Sequence, residues 1–284
     1  MRTDNNEHKA LFTIPTAVHS SAPANIKPLP EQRKITGHKQ TDAYLWVLEV
    51  IRLNEPAHLG AAEEALQKLT IKPKDAEKHY RDWLMMNGAD PFQVAFGTIG
   101  MDNPTRAIES ARENIKKAAD VRATFGNYET AMEDVEAERV IKSSTRFIDD
   151  YHWGWTAAEK KAQSVNGSRS NEIDEQRRAW VAGYRDVLPE PHTLSDVVRE
   201  FIYWDWLYGV RQTASKEIGY KFGSDHHESV NDRERYLEAL LTTIRPANRA
   251  EAVEVCRWFL DSGKGEYMDE DGAAVILNLV GECE

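Results

Sequence analysis

Four consecutive residues, Asp225, His226, His227 and Glu228, carry side chains that bind metals. Metal sites need His and carboxylate ligands converging from rigid elements. Neighbours on a helix point about 100° apart, so a continuous helix cannot aim all four at one ion. An extended loop could aim two. The His pair at i and i+4 that binds metal from one helix is absent. The same stretch also reads as a helix start. Ser224 or Asp225 would cap it, Glu228 would sit near the helix's positive end, and His226 and His227 would face solvent.

A second set lies in "FIDDYHWGW", Phe147 to Trp155. Asp149 and His152 are three apart and share a face if the segment is helical. Di-metal sites in helical bundles use a carboxylate-x-x-His spacing, but they require a second such pair and two further glutamates. The other acid-x-x-His spacing tested, Glu55 to His58, is broken by Pro56. An ion pair from Arg146 to Asp149 or Asp150 is the simpler use of these acids. The candidate metal ligands are therefore Asp149, His152, His226 and His227, and they matter only if folding joins two helices. No phosphate-binding loop, nucleophile elbow or HExxH occurs, and no motif calls for a cofactor.

The catalytic candidate is Asp205 in "FIYWDWLYG". Its helical neighbours are Phe201, Ile202, Tyr208 and Gly209, with Trp204 and Trp206 beside it. An acid on a helix that is apolar nearly all round would have to be paired or hydrogen-bonded. It would then serve as a general base or ligand anchor in an aromatic pocket, or as a structural acid, unless it lies on a single wet face. Candidate interaction residues are Phe12 and Ile14 in "ALFTIP", Trp153 and Trp155 in "YHWGW", and Trp204 and Trp206. Aromatic clusters of this kind serve as core knobs or as contact surfaces.

The elements that must position these residues are helices. Thr41 and Asp42 open an apolar run that ends before Pro56. Asp90-Pro91 and Asn103-Pro104 place a capping residue before a first-turn proline. The stripe Ile108, Ala111, Ile115, Ala118 and Phe125 fits one helix closed by Gly126. A further stripe, Ala137, Ile141, Ser144, Ile148, Tyr151 and Trp155, predicts a long helix from about Tyr128 to Tyr151 and on toward Gln163. "SVNGSRSN", residues 164–171, reads as the clearest interior linker. Alternating β-branched runs are nearly absent. The expectation is an all-α, multi-helix bundle or array of roughly ten helices. Residues 104–125, 128–155 and 193–221 supply its frame. Residues 1–40, with four of the eleven prolines, read as a flexible arm. Residues 41–284 form the helical domain, with a possible subdivision near 164–171.

The net charge of −11 is unevenly spread: +3 over residues 1–40, −8 over 223–284 and −6 between them. An acidic surface repels a phosphate backbone, so nucleic acid is disfavoured except at the basic arm. No run approaches ~18 apolar residues, so no membrane span is expected. With two cysteines, Cys256 and Cys283, a disulfide scaffold is excluded and a reducing cytoplasm fits. The function expected is non-enzymatic: binding a partner protein, or the chain itself, through the arm and the aromatic patches. The alternatives are a metal-dependent helical hydrolase acting on a small phosphorylated or amide substrate, and a nucleic-acid-associated accessory protein using the arm.

Overall fold

Asn5 opens the first helix, α1 (Asn6–Leu11), by accepting the amide hydrogens of Glu7 and His8. Four of the next five helices begin at a proline, whose fixed φ suits the first turn. These helices are α2 (Lys39–Arg52), α3 (Pro56–Lys68), α4 (Pro73–Met86), α5 (Pro91–Thr98) and α6 (Pro104–Phe125). Then follow α7 (Tyr128–Ala131), α8 (Glu136–Ser143), α9 (Ala157–Ala162), α10 (Gly167–Val181) and α11 (Leu194–Glu217). The series closes with α12 (Glu228–Thr243), α13 (Arg249–Asp261), α14 (Lys264–Tyr267) and α15 (Asp269–Val280). This computed structural model describes residues 2–19, 26–220, 225–267 and 269–281. Among the described residues there is no strand, and the class is all-α. No helix among them is long and apolar enough to cross a membrane.

The chain divides into two compact units, one of Met1–Thr16 with Tyr128–Glu284, the other of Ala17–Asn127. The first unit is built on α11. One side of this helix supplies Tyr203, Trp204 and Leu207 to a core shared with Phe12, Ala137, Ile141 and Val230. Another side supplies Leu194, Val197 and Phe201 to a core with Leu237, Leu241, Val255 and Leu279. The second unit has its own core, in which Tyr44, Val47, Leu48 and Ile51 of α2 meet Leu59, Ala76 and Ala111.

The stretch expected as one arm, residues 1–40, is shared between the units. Residues 6–12 pack into the first through His8 and Phe12, both buried. Residues 27–36 run along the second. Lys27 N–H donates to Glu55 (3.1 Å), Trp46 donates to the Pro30 carbonyl (2.7 Å), and Thr36 N–H donates to Asp42 (2.7 Å). The interior division falls at residues 127–128, whereas residues 167–171 of the expected linker belong to α10.

The long helix expected from Tyr128 is instead three short ones. Its stripe residues Ala137, Ile141 and Ile148 are still core, but the backbone leaves the helix at Ser144. Ser143 Oγ donates to the Val140 carbonyl, and Ser144 Oγ accepts from the Arg146 amide. Such side-chain bonds compete with the helical ladder.

Candidate functional site

The start of α12 gathers part of the expected ligand set. His227, rather than Ser224 or Asp225, is the N-cap, its Nδ1 accepting from the Ser229 amide at 3.1 Å. Ser224 lies outside the described residues. With Nδ1 engaged, Nε2 of His227 reaches to 3.9 Å from Asp149 Oδ1, and the ring packs on Phe147. His226 turns the other way. Its Nε2–H donates to the Trp204 carbonyl at 3.0 Å, and its ring lies against Trp204 and Tyr208. His152 packs edge-on against Trp155, with Nδ1 3.9 Å from Asp150. Folding thus joins Asp149 to His227 and leaves His152 and His226 engaged elsewhere. Among the described residues, no three His, Cys, Asp or Glu side chains form a group able to hold a metal. Burial pushes the pKa of both His226 and His227 below the ordinary value, which favours their neutral forms.

Asp205 is exposed. The helical period places it with Ile202 and Gly209 on the wet face of α11, opposite Trp204 and Leu207. The helix is therefore not apolar all round, and no aromatic pocket encloses this acid. Among the interaction candidates, Phe12 and Trp204 are core residues and present no surface. Trp153 and Trp206 are half-buried against the same core, Trp155 is half-buried, and Ile14 is at the surface.

The first unit holds a buried charge network that the local sequence pattern does not announce. Glu200 takes both NεH and Nη2H of Arg233, at 2.8 and 2.9 Å, and Nε2–H of His8 at 2.8 Å. Arg233 also donates to the carbonyls of Gly183 and Pro189. Beside them, Asp196 accepts from the Asn5 amide at 2.9 Å, and Arg199 pairs with Asp4 at 2.7 Å. His8, Asp196, Glu200 and Arg233 are all fully buried. Burial opposes ionisation of Glu200, but the Arg233 guanidinium, helped by His8, holds its carboxyl below the usual range. The only local hint is that Asp196, Arg199 and Glu200 share a face of α11. Their partners are up to 195 positions away. The network ties α1 to α11 and is closed to solvent.

The second unit presents an unusual surface. In α5, Val94 and Thr98 face inward, and Gly97 lies so close to α4 that a Cβ there would meet Leu84 at 3.1 Å. The opposite face carries Phe92, Phe96 and Ile99, at steps of four and three. Phe92 is 76% exposed and Phe96 72%; Met86, in the last turn of the packed neighbour α4, is 86% exposed. Met85 and Ile99 are also largely exposed. Sequence reasoning treated 90–100 as an ordinary capped helix. The missed signal is that eight residues hold apolar groups all round, more than one buried face can absorb. Compared with protein-family models, curated proteins and solved structures, the chain matches none.

Proposed function

We propose that this chain is a cytoplasmic helical protein that acts by binding another protein, with the outward face of α5 and the end of α4 as the contact surface. The observation that carries this reading is the exposure of Met85 and Met86 on α4, of Phe92 and Phe96 on the packed helix α5, and of Ile99, its C-cap. Soluble proteins expose single apolar residues freely, but several large ones on two neighbouring helices mark a contact site. Methionine and phenylalanine suit that use: Phe contributes rigid apolar area, and Met adapts to a partner's shape. The pairing of α4 and α5 is fixed by the capping box of Asp90 and Gln93 and by the close approach of Gly97 to Leu84. The surface is therefore preorganised, and little conformational freedom has to be lost on association. The partner surface that fits is the apolar face of an amphipathic helix, read at the i, i+4 and i+7 spacing of Phe92, Phe96 and Ile99.

The test is photo-crosslinking in cells from benzoylphenylalanine placed at position 96. A discrete adduct with one other protein is expected, and it should disappear in the Met86→Asp/Phe92→Asp background. Adducts no stronger than those from a probe at Lys117, on α6, would sink the reading. An adduct only with a second copy of this chain would move it to self-association.

A further inference from the structure

The first unit contains a half-open groove of about 640 Å³ between the loop before α13, the first turns of α13 and the last turns of α15. Its lining includes Arg245 and Arg249, both exposed. Among the described residues neither has an ion-pair or hydrogen-bond partner. The acid nearest in sequence, Glu251, is already committed. One of its oxygens accepts from the amide and hydroxyl of Ser195, both at 2.8 Å, and the other accepts from the Ala247 amide. The rest of the wall is mostly apolar, with Ala252, Cys256, Ile276 and Leu279; of its two asparagines, Asn278 donates to the carbonyls of Leu241 and Ile244, and Asn248 accepts from the Glu251 amide. The volume lies within the ~300–1,000 Å³ usual for small-molecule sites.

The segment from 223 onward carries a net charge of −8, and two arginines lining one groove, without an ion-pair partner among the described residues, stand out against it. A protein partner reading this acidic surface would be basic, and those two arginines would repel it. An anion with an apolar tail matches both the arginines and the apolar part of the lining. We propose that this groove binds a free long-chain carboxylate. Its headgroup accepts from Arg245 and Arg249, where a planar guanidinium matches a carboxylate. Its acyl chain lies along α13 and α15, over Cys256. This site lies in the first unit and does not depend on the protein-binding surface of the second.

Cys256 is a free, half-buried thiol lining the groove and reports directly on occupancy. The experiment uses the full chain with Cys283→Ser, so that Cys256 is the sole thiol, and follows its alkylation by iodoacetamide. Oleate, below the concentration at which it aggregates, is expected to slow alkylation in a saturable way. The Arg245→Gln/Arg249→Gln chain should alkylate at the unliganded rate of its parent, which shows an intact groove. It should need ~tenfold more oleate for half-protection, the loss expected for charge-assisted bonds. Oleyl alcohol, with the same chain and no charge, should protect the parent as poorly as oleate protects that variant. No protection by oleate, equal protection by oleyl alcohol, or protection unchanged in the double variant would each overturn the proposal.

Discussion

His226 donates one ring nitrogen to the Trp204 carbonyl and holds the other, Nδ1, buried without a partner. A proton on Nδ1 would put a buried cation where no group among the described residues accepts it. Burial is the largest cause of its lowered pKa, and the nearby Arg211 guanidinium acts in the same direction against the Trp204 hydrogen bond. The unfolded chain therefore takes up a proton that the fold rejects. Stability is full above the ordinary histidine pKa of 6.5 and falls as pH drops through it toward the folded value. His227, also lowered by burial, acts with the same sign. The urea midpoint should fall between about pH 7 and about pH 5.5. His226→Gln keeps a donor for Trp204 and cannot titrate, so it should flatten part of that slope. An unchanged slope would remove His226 from the account. Glu200 works in a separate, more acidic window. Its pKa is lowered, so its contribution is present above the usual glutamate range and lost below it.

Between α10 and the loop before α11, three residues in succession have positive φ: Ala182 at 46°, Gly183 at 60° and Tyr184 at 55°. L-residues adopt this region singly and at a cost. The turn persists because its surroundings fix it. The Gly183 carbonyl accepts from Arg233 at 3.0 Å, and the Tyr184 ring is buried in the core. A Cβ at Gly183 would lie 2.2 Å from Tyr236 Cβ, a rigid point on α12. Gly183→Ala should therefore destabilise the protein by more than about 3 kcal/mol, from overpacking together with strained φ. Gly60 is the control, since it lies inside α3 with nothing near its missing Cβ. Gly60→Ala should be neutral or stabilising by up to about 1 kcal/mol. Equal effects of the two substitutions in urea unfolding would remove the steric argument. Helix identity at this scale was largely readable. The Asn103-Pro104 start and Gly126 stop of α6 appear where the residues place them. The break at Ser144 was not, because an apolar stripe carries the same period whether or not the backbone between its members stays helical.

At the scale of the whole chain, residues 2–16 belong with 128–281, although 111 residues of the second unit intervene. The bond between His8 and Glu200 spans 192 positions. Closing so long a loop costs only slowly increasing entropy, and burial of Phe12 in the core built on α11 opposes it. Removing His8 takes one hydrogen bond from the buried Glu200, which keeps Arg233, at a cost of roughly 1.5–3 kcal/mol. In hydrogen exchange, His8→Ala should speed exchange in α1, α11 and α12. It should leave α2 to α6 unchanged, because the second unit has a separate core. Uniform acceleration across the chain would contradict the division into units.

What the sequence determined by itself is local. Capping residues, first-turn prolines and apolar periodicity fix that the chain is helical and where many helices start. They also exclude sheet and membrane-spanning helices as organising principles. Tertiary structure alone decided which polar groups meet and which apolar groups stay outside. The Asp225-His226-His227-Glu228 stretch carries metal-binding side chains, yet the fold directs one imidazole to a carbonyl and the other to a helix cap. Phe12 and Phe96 are the same residue type in short helical contexts. The first is buried by α11 and the second faces outward, because burial depends on which elements pack together, and helical period leaves that open.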